Sequence, residues 1–349
     1  LYDLSAGRIP VLVTTLEALQ LRTIPKSTLY AASIRLTAGG SYDLDKLTEQ
    51  LTAAGYTRAS LVEGAGQFAL RGGILDVFSP AHDQPVRAEF FGDELDAMGF
   101  FDPTTQRRTE NTEQALLLPV AESLPSLHPD GIDGLCRDLQ NIIARQRRRK
   151  APHENLITTL TRDIESLQSG VSFPSADRYL ALIYPEFSCA ADYLSTETAV
   201  YFCDHGALSR AAKAQEEEFG LGLDAFLESG RLAGELCEFY LSLEDLAARM
   251  KGHPVVYFDS FLSARFPESL PPKQLLSVTA RQLPGYGGSL ETAVSDLKSY
   301  VRNDYGCLVL CGGRRRGEIL KEMLGKEGVN ALLAFPAVHL PQAGQVFLT

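Results

Sequence analysis

Between Gly66 and Asp102 apolar and polar residues alternate with a period of two, and glycine-containing pairs break the alternation twice. Gln67–Arg71 and Ile74–Phe78 flank Gly72-Gly73, and Val86–Phe91 and Glu94–Phe101 flank Gly92-Asp93. Such pairs tolerate the positive φ that a two-residue hairpin turn demands, so two successive β-hairpins are predicted. Side chains of a strand point to opposite faces in turn. Phe68 and Leu70 therefore share one face, and Gln67, Ala69 and Arg71 the other. In the second hairpin Val86, Ala88 and Phe90 form an apolar row that should meet a core. Arg87, Glu89 and Phe91 form the opposite row. Alternation alone leaves Arg71, Arg87, Glu89 and Phe91 in water. Such a face is either a solvated sheet surface with cross-strand ion pairs or a partner-binding patch, for which Arg and aromatic residues are the usual anchors.

The rest of the chain follows other periods. Val11–Thr14 reads as an apolar strand and Leu16–Arg22 as a helix that Thr14 or Thr15 caps, together the last strand–helix unit of an α/β domain. Ile34–Leu36 reads as a strand and Leu44–Ala54 as an amphipathic helix, with Leu44, Leu47 and Leu51 on one stripe and Gly55 as its stop. Ser79–Pro85 links the hairpins and contains His82, a loop residue without an assigned role. After Phe100 a Thr- and Arg-rich turn is expected to leave the sheet. Helices are predicted over Ile132–Arg149 and Leu156–Leu167, and Ala199–Cys203 reads as a strand followed by a helix over Ala207–Phe219. Pro267, Pro271, Pro272, Pro284 and the Gly285–Gly288 cluster mark a linker. Beyond it a helix at Leu290–Val301, a strand at Cys307–Cys311, a helix at Arg314–Lys326 and a strand at Val329–Phe335 predict a small domain with a parallel sheet.

With 349 residues the chain has room for two or three cores, and 45% hydrophobic with 22% charged residues describes an ordinary globular protein. A net charge of −11 argues against general binding to a DNA backbone. The Arg145–Lys150 charge run continues a helix and reads as a solvated face. No apolar run reaches membrane-span length, and no signal segment opens the chain. The six cysteines are scattered, and Cys307 and Cys311 have no His or Cys neighbour to complete a zinc site. Reduced thiols and a cytoplasmic location are expected. Starting on Leu1 and ending on the apolar run Gln345–Thr349, the sequence reads as a piece of something longer.

At the hairpins the sequence also resembles a known family. The string F-A-L-R-G-G-I-L-D-V-F, then V-R-A-E-F-F-G-D-E, then F-D-P-T-T-Q-R, is similar to the UvrB-homology module at the N-terminus of bacterial transcription-repair coupling factors (Mfd). Phe173–Thr196 resembles the segment that returns that family's chain to its first domain. The resemblance implies an α/β multidomain protein. Residues 1–33 and 119–255 would form a UvrB-like discontinuous, degenerate helicase-like α/β domain. Residues 34–118 would form an inserted β-rich α+β domain, and residues 256–349 a linker and a small α/β domain. It further implies a non-catalytic adaptor that recruits UvrA in nucleotide excision repair, with Arg71, Arg87, Glu89, Phe90, Phe91 and Asp93 matching the family's binding motif. Of these, alternation turns Phe90 inward. RNA polymerase and DNA would be reached only through other parts of a parent translocase, and the module would be a monomer without cofactor. The competing reading is a UvrB-like ATP-dependent subunit that handles DNA damage. It requires a strand ending in Asp-Glu, where this chain has Asp204-His205, and a G-x-x-x-x-G-K-[ST] phosphate loop, which this chain lacks. The nearest approach, Gly312-Gly313 followed by three arginines and Gly317, has no Lys-Ser/Thr.

Overall fold

The computed structural model describes residues 1–170, 175–260, 265–280, 282–283, 286 and 288–349. Phe173 and Pro174 of the returning segment, and Pro284, Gly285 and Gly287 of the linker, lie outside the described residues. The chain is mixed α/β and divides into two compact units, Leu1–Gln274 and Leu275–Thr349.

In the first unit, β1 (Ile34–Thr37) leads into the helix Leu44–Ala53, whose N-terminal amides at Asp45 and Lys46 donate to the Asp43 carboxylate at 3.1 Å each. A six-stranded sheet follows, in spatial order β2 (Thr57–Arg58), β3 (Gln67–Arg71), β4 (Ile74–Val77), β5 (Val86–Phe91), β6 (Glu94–Phe101) and β7 (Arg108–Asn111). The hairpins form where the glycine turns predict them, with Arg71 opposite Ile74 and Phe91 opposite Glu94. Gly72 sits at φ 60°, which favours glycine, and a Cβ on Gly73 would lie 2.6 Å from the Phe90 carbonyl oxygen, so the second turn position has no room for a side chain. The chain does not leave the sheet after Phe101. Asp102 caps a tight turn by accepting the Thr104 and Thr105 amides, and the chain returns as β7 beside β6. The Thr- and Arg-rich composition belongs to that turn and to an exposed edge strand, which has no buried face and so no hydrophobic period to betray it. Finally β8 (Gln114–Leu117) pairs antiparallel with β1, Ile34 opposite Leu117, which brings the two ends of the segment together.

The inward rows of the sheet, among them Phe68, Leu75, Val77, Val86, Ala88 and Met98, pack with Leu47 and Leu51 of the helix and with Leu36 and Leu117. Tyr56 belongs to this core and donates its hydroxyl to the Leu118 carbonyl at 2.6 Å. Burial pushes its pKa up to about 12. The fold favours the neutral phenol, so this contribution to stability is complete below the ordinary tyrosine pKa of about 10 and is lost as pH rises toward 12. Tyr56→Phe is expected to reduce the alkaline fall in melting temperature across that window. An unchanged profile would show that Tyr56 ionisation does not contribute.

A second core joins residues on both sides of this segment. Tyr2, Ile24 and Leu29 pack with Leu135, Leu139 and Ile142 of the helix Gly131–Arg147, with Leu156, Leu160 and Ile164 of the helix Glu154–Gln168, and with Tyr179 and Tyr193. The Tyr193 hydroxyl donates to the Ile24 carbonyl at 2.6 Å, and Gln20 donates to the Leu241 carbonyl at 2.8 Å. The predicted strand at Val11–Thr14 does not form: no strand among the described residues lies beside it, and Val13 is 91% exposed. Apolar alternation gives a segment the capacity for a strand, but only a hydrogen-bonded neighbour makes it one. The helix after it forms at Leu16–Gln20, capped by Thr15. Farther on, β9 (Val200–Cys203) and β10 (Val255–Phe258) run parallel, and the helix after β9 spans His205–Glu228, longer than its apolar period suggests.

In the second unit β11 (Cys307–Val309) and β12 (Ala331–Leu333) flank β13 (Val346–Leu348), all parallel as predicted. The helices Leu290–Arg302 and Arg314–Lys326 contribute Val294, Leu297, Leu320 and Leu324 to a core shared with Val346 and Leu348.

Candidate protein-binding site

The sheet register places the outward residues in rows, because residues directly opposite across strands share a face. One row is Ala69, Asp76, Arg87 and Gly99, and the next is Arg71, Ile74, Glu89 and Ala97. At one end this face is not in water. Val62, Ala69 and Phe101 form a small buried cluster on it with Phe78, and Gln106 crosses to donate to the Val62 carbonyl at 3.2 Å.

Beside that cluster lies a charged frame. The Asp76 carboxylate, 0% exposed, accepts Arg87 Nε at 2.7 Å and Nη2 at 2.9 Å, and Arg71 Nη2 at 2.5 Å. Arg87 also donates to the backbone carbonyl and side-chain oxygen of Gln106, both at 3.2 Å, and its guanidinium lies 4.5 Å from the centroid of the Phe101 ring. The bonds to Asp76 push the Arg87 pKa above its ordinary value. Its side chain is 19% exposed, against 47% for Arg71. The face expected to be solvated therefore has Arg87 built into the domain and Arg71 half free. Glu89 pairs with Arg108 of β7 at 2.6 Å.

Phe91 ends the row, 86% exposed at the rim of the hairpin. Phe90 turns inward as alternation requires and packs against the core, edge-on to Tyr42 with centroids 6.3 Å apart. Asp93 lies in the exposed turn, where its backbone carbonyl accepts the Tyr42 amide at 2.7 Å. Asp76, Gln106 and Arg108 were not singled out from the sequence. Asp76 carried a readable signal: a carboxylate inside the apolar string I-L-D-V-F, on the same face as Arg71.

The helicase-like positions do other work. Asp204, at φ 54°, caps the helix His205–Glu228 by accepting the Ala207 amide at 3.0 Å. His205 is buried, with its backbone N–H donating to Asp259 at 2.8 Å and its ring stacked 4.5 Å from Phe266. His82 is half-buried: Nε2 accepts the Leu116 amide at 3.2 Å, and desolvation lowers its pKa. Among the described residues no group of three His, Cys, Asp or Glu side chains could hold a metal ion, and no helix is long and apolar enough to cross a membrane.

The segment is thus a mostly antiparallel sheet with a buried ionic frame and a bare aromatic at its rim. Residues 34–122 match the family model described as the UvrB interaction domain. Over most of its length the chain is similar to proteins named Transcription-repair-coupling factor. That of Myxococcus xanthus is 28% identical across 93% of this chain and 27% of that protein. That of Bacillus subtilis (strain 168) is 23% identical across 99% of this chain and 29% of that protein. That of Staphylococcus haemolyticus (strain JCSC1435) is 26% identical across 84% and 25%. The chain thus spans between 25% and 29% of the length of these relatives.

Proposed function

We propose that this chain is a non-catalytic adaptor module of a transcription-repair coupling factor, and that it recruits UvrA to stalled RNA polymerase through the sheet face of residues 34–118. The observation that carries this reading is Phe91, an aromatic ring 86% exposed on the same sheet face as a half-free arginine, inside the segment that matches the UvrB interaction domain. A solvated ring of that size has no role in its own core, and it fits an apolar socket on a partner. Contact with RNA polymerase and DNA belongs to other parts of the parent protein, and the module acts as a monomer. The shared core of residues 2–32 and 116–236 supports a discontinuous α/β domain, made of residues 1–33 and 119–255, that carries the β-rich domain as an insertion. A UvrB-like ATPase is the weaker reading, because Asp204 is engaged as a helix cap and His205 is packed in a core.

The test is a calorimetric titration of purified UvrA with the 349-residue chain. Saturable binding is expected without nucleotide on the chain. No heat of binding, with both proteins folded, would overturn the proposal.

A further inference from the structure

The two arginines of the face are not equivalent. Arg87 spends four of its five N–H donors inside the domain, two on Asp76 and two on Gln106. Arg71 spends one, on the Asp76 oxygen Oδ2 that Arg87 Nη2 also reaches. Two guanidiniums around one fully buried carboxylate leave an excess of one positive charge, and the only half-exposed part of this frame is Arg71. Asp76 reaches both from the central strand β4, directly opposite Arg87 and two residues along from the partner of Arg71. An arginine held by one bond to a fixed anion has its remaining fork pre-oriented, so less side-chain freedom is lost when a second carboxylate arrives.

We propose that Asp76 is a positioning residue for partner recognition: it holds Arg71 so that its free guanidinium edge reads a single carboxylate on the partner, on the sheet face that also presents Phe91, while Arg87 and Gln106 brace the frame. The inference rests on the UvrA-binding reading and adds the chemistry of the partner's surface, an acidic side chain that meets Arg71.

The experiment titrates purified UvrA into the parent chain and its Arg71→Ala, Asp76→Asn and doubly substituted forms, with melts of each. Arg71→Ala and Asp76→Asn are each expected to weaken binding tenfold or more, and the double form no further than the weaker single. Such non-additivity marks one residue acting through the other, whereas a merely structural Asp76 would give losses that multiply. Nitrogen-15 exchange NMR of the parent chain supplies a readout that needs no variant to fold: rotation of the Arg71 guanidinium about its Nε–Cζ bond should be hindered. Multiplying losses, or a freely rotating Arg71 guanidinium in the parent, would overturn the positioning role while leaving UvrA binding intact. A parent chain that does not bind UvrA overturns the functional reading and this inference with it.

Discussion

Phe91→Ala is expected to weaken UvrA binding by about 2 kcal/mol, roughly thirtyfold, without lowering the melting temperature of the chain. The two halves of that expectation have separate causes. The ring is 86% exposed, so its removal opens no cavity and forfeits little packing in the free domain. In a complex the same ring would be desolvated in full, and losing an aromatic anchor from its pocket removes both buried area and contacts. Its neighbour Phe90 provides the contrast, since it packs against the core and Tyr42, and Phe90→Ala should lower the melting temperature. Titrations with UvrA beside thermal melts decide the matter: Phe91→Ala binding as well as the parent would reduce the face to a solvated sheet surface.

Arg87→Ala is expected to be a stability variant first and a binding variant second. Alternation along β5 puts Arg87 in the row that faces away from the main core, which predicts a substitution without consequence for folding. Register and turn geometry reverse that expectation. Truncation would leave Asp76, buried at 0% exposure, with Arg71 as its remaining cation, and would strip the Phe101 ring of its guanidinium cover. Removing one partner of a buried pair costs about 3–5 kcal/mol; because Arg71 stays and Arg87 is itself partly exposed, the expected loss here is about 2–4 kcal/mol. Denaturant unfolding of the variant measures it directly. A midpoint equal to that of the parent would mean that Asp76 is satisfied without Arg87, and would return Arg87 to the list of free partner contacts.

The sequence was most legible where one local signal sufficed. Glycine-containing pairs between alternating runs placed both hairpins, because a two-residue turn sets the register of the strands it joins. Heptad-like apolar stripes placed the helices Gly131–Arg147, Glu154–Gln168 and Arg314–Lys326 within a residue or two of their limits. Phe90 and Phe91, adjacent in sequence, were separated into an inward and an outward ring by alternation alone. Local signals failed where the outcome hung on distant chain. Val11–Thr14 has a strand's composition but no strand beside it among the described residues. The edge strand Arg108–Asn111 has no buried face and left no pattern.

By itself, then, the sequence determined the hairpins, the helices with a clear apolar stripe, the side of the sheet each residue occupies, and the resemblance that names UvrA as the expected partner. Tertiary structure alone decided what that outer side is. Whether a charged side chain that points away from the main core meets water depends on what packs over it, and here the loop carrying Val62 and the turn carrying Gln106 close one end of the face and leave the other open. The same period-2 rule thus yields a braced arginine at position 87 and a half-free one at position 71. The difference lies in loop contacts such as that of Gln106 with Val62, 44 residues apart, which no window along the strand contains.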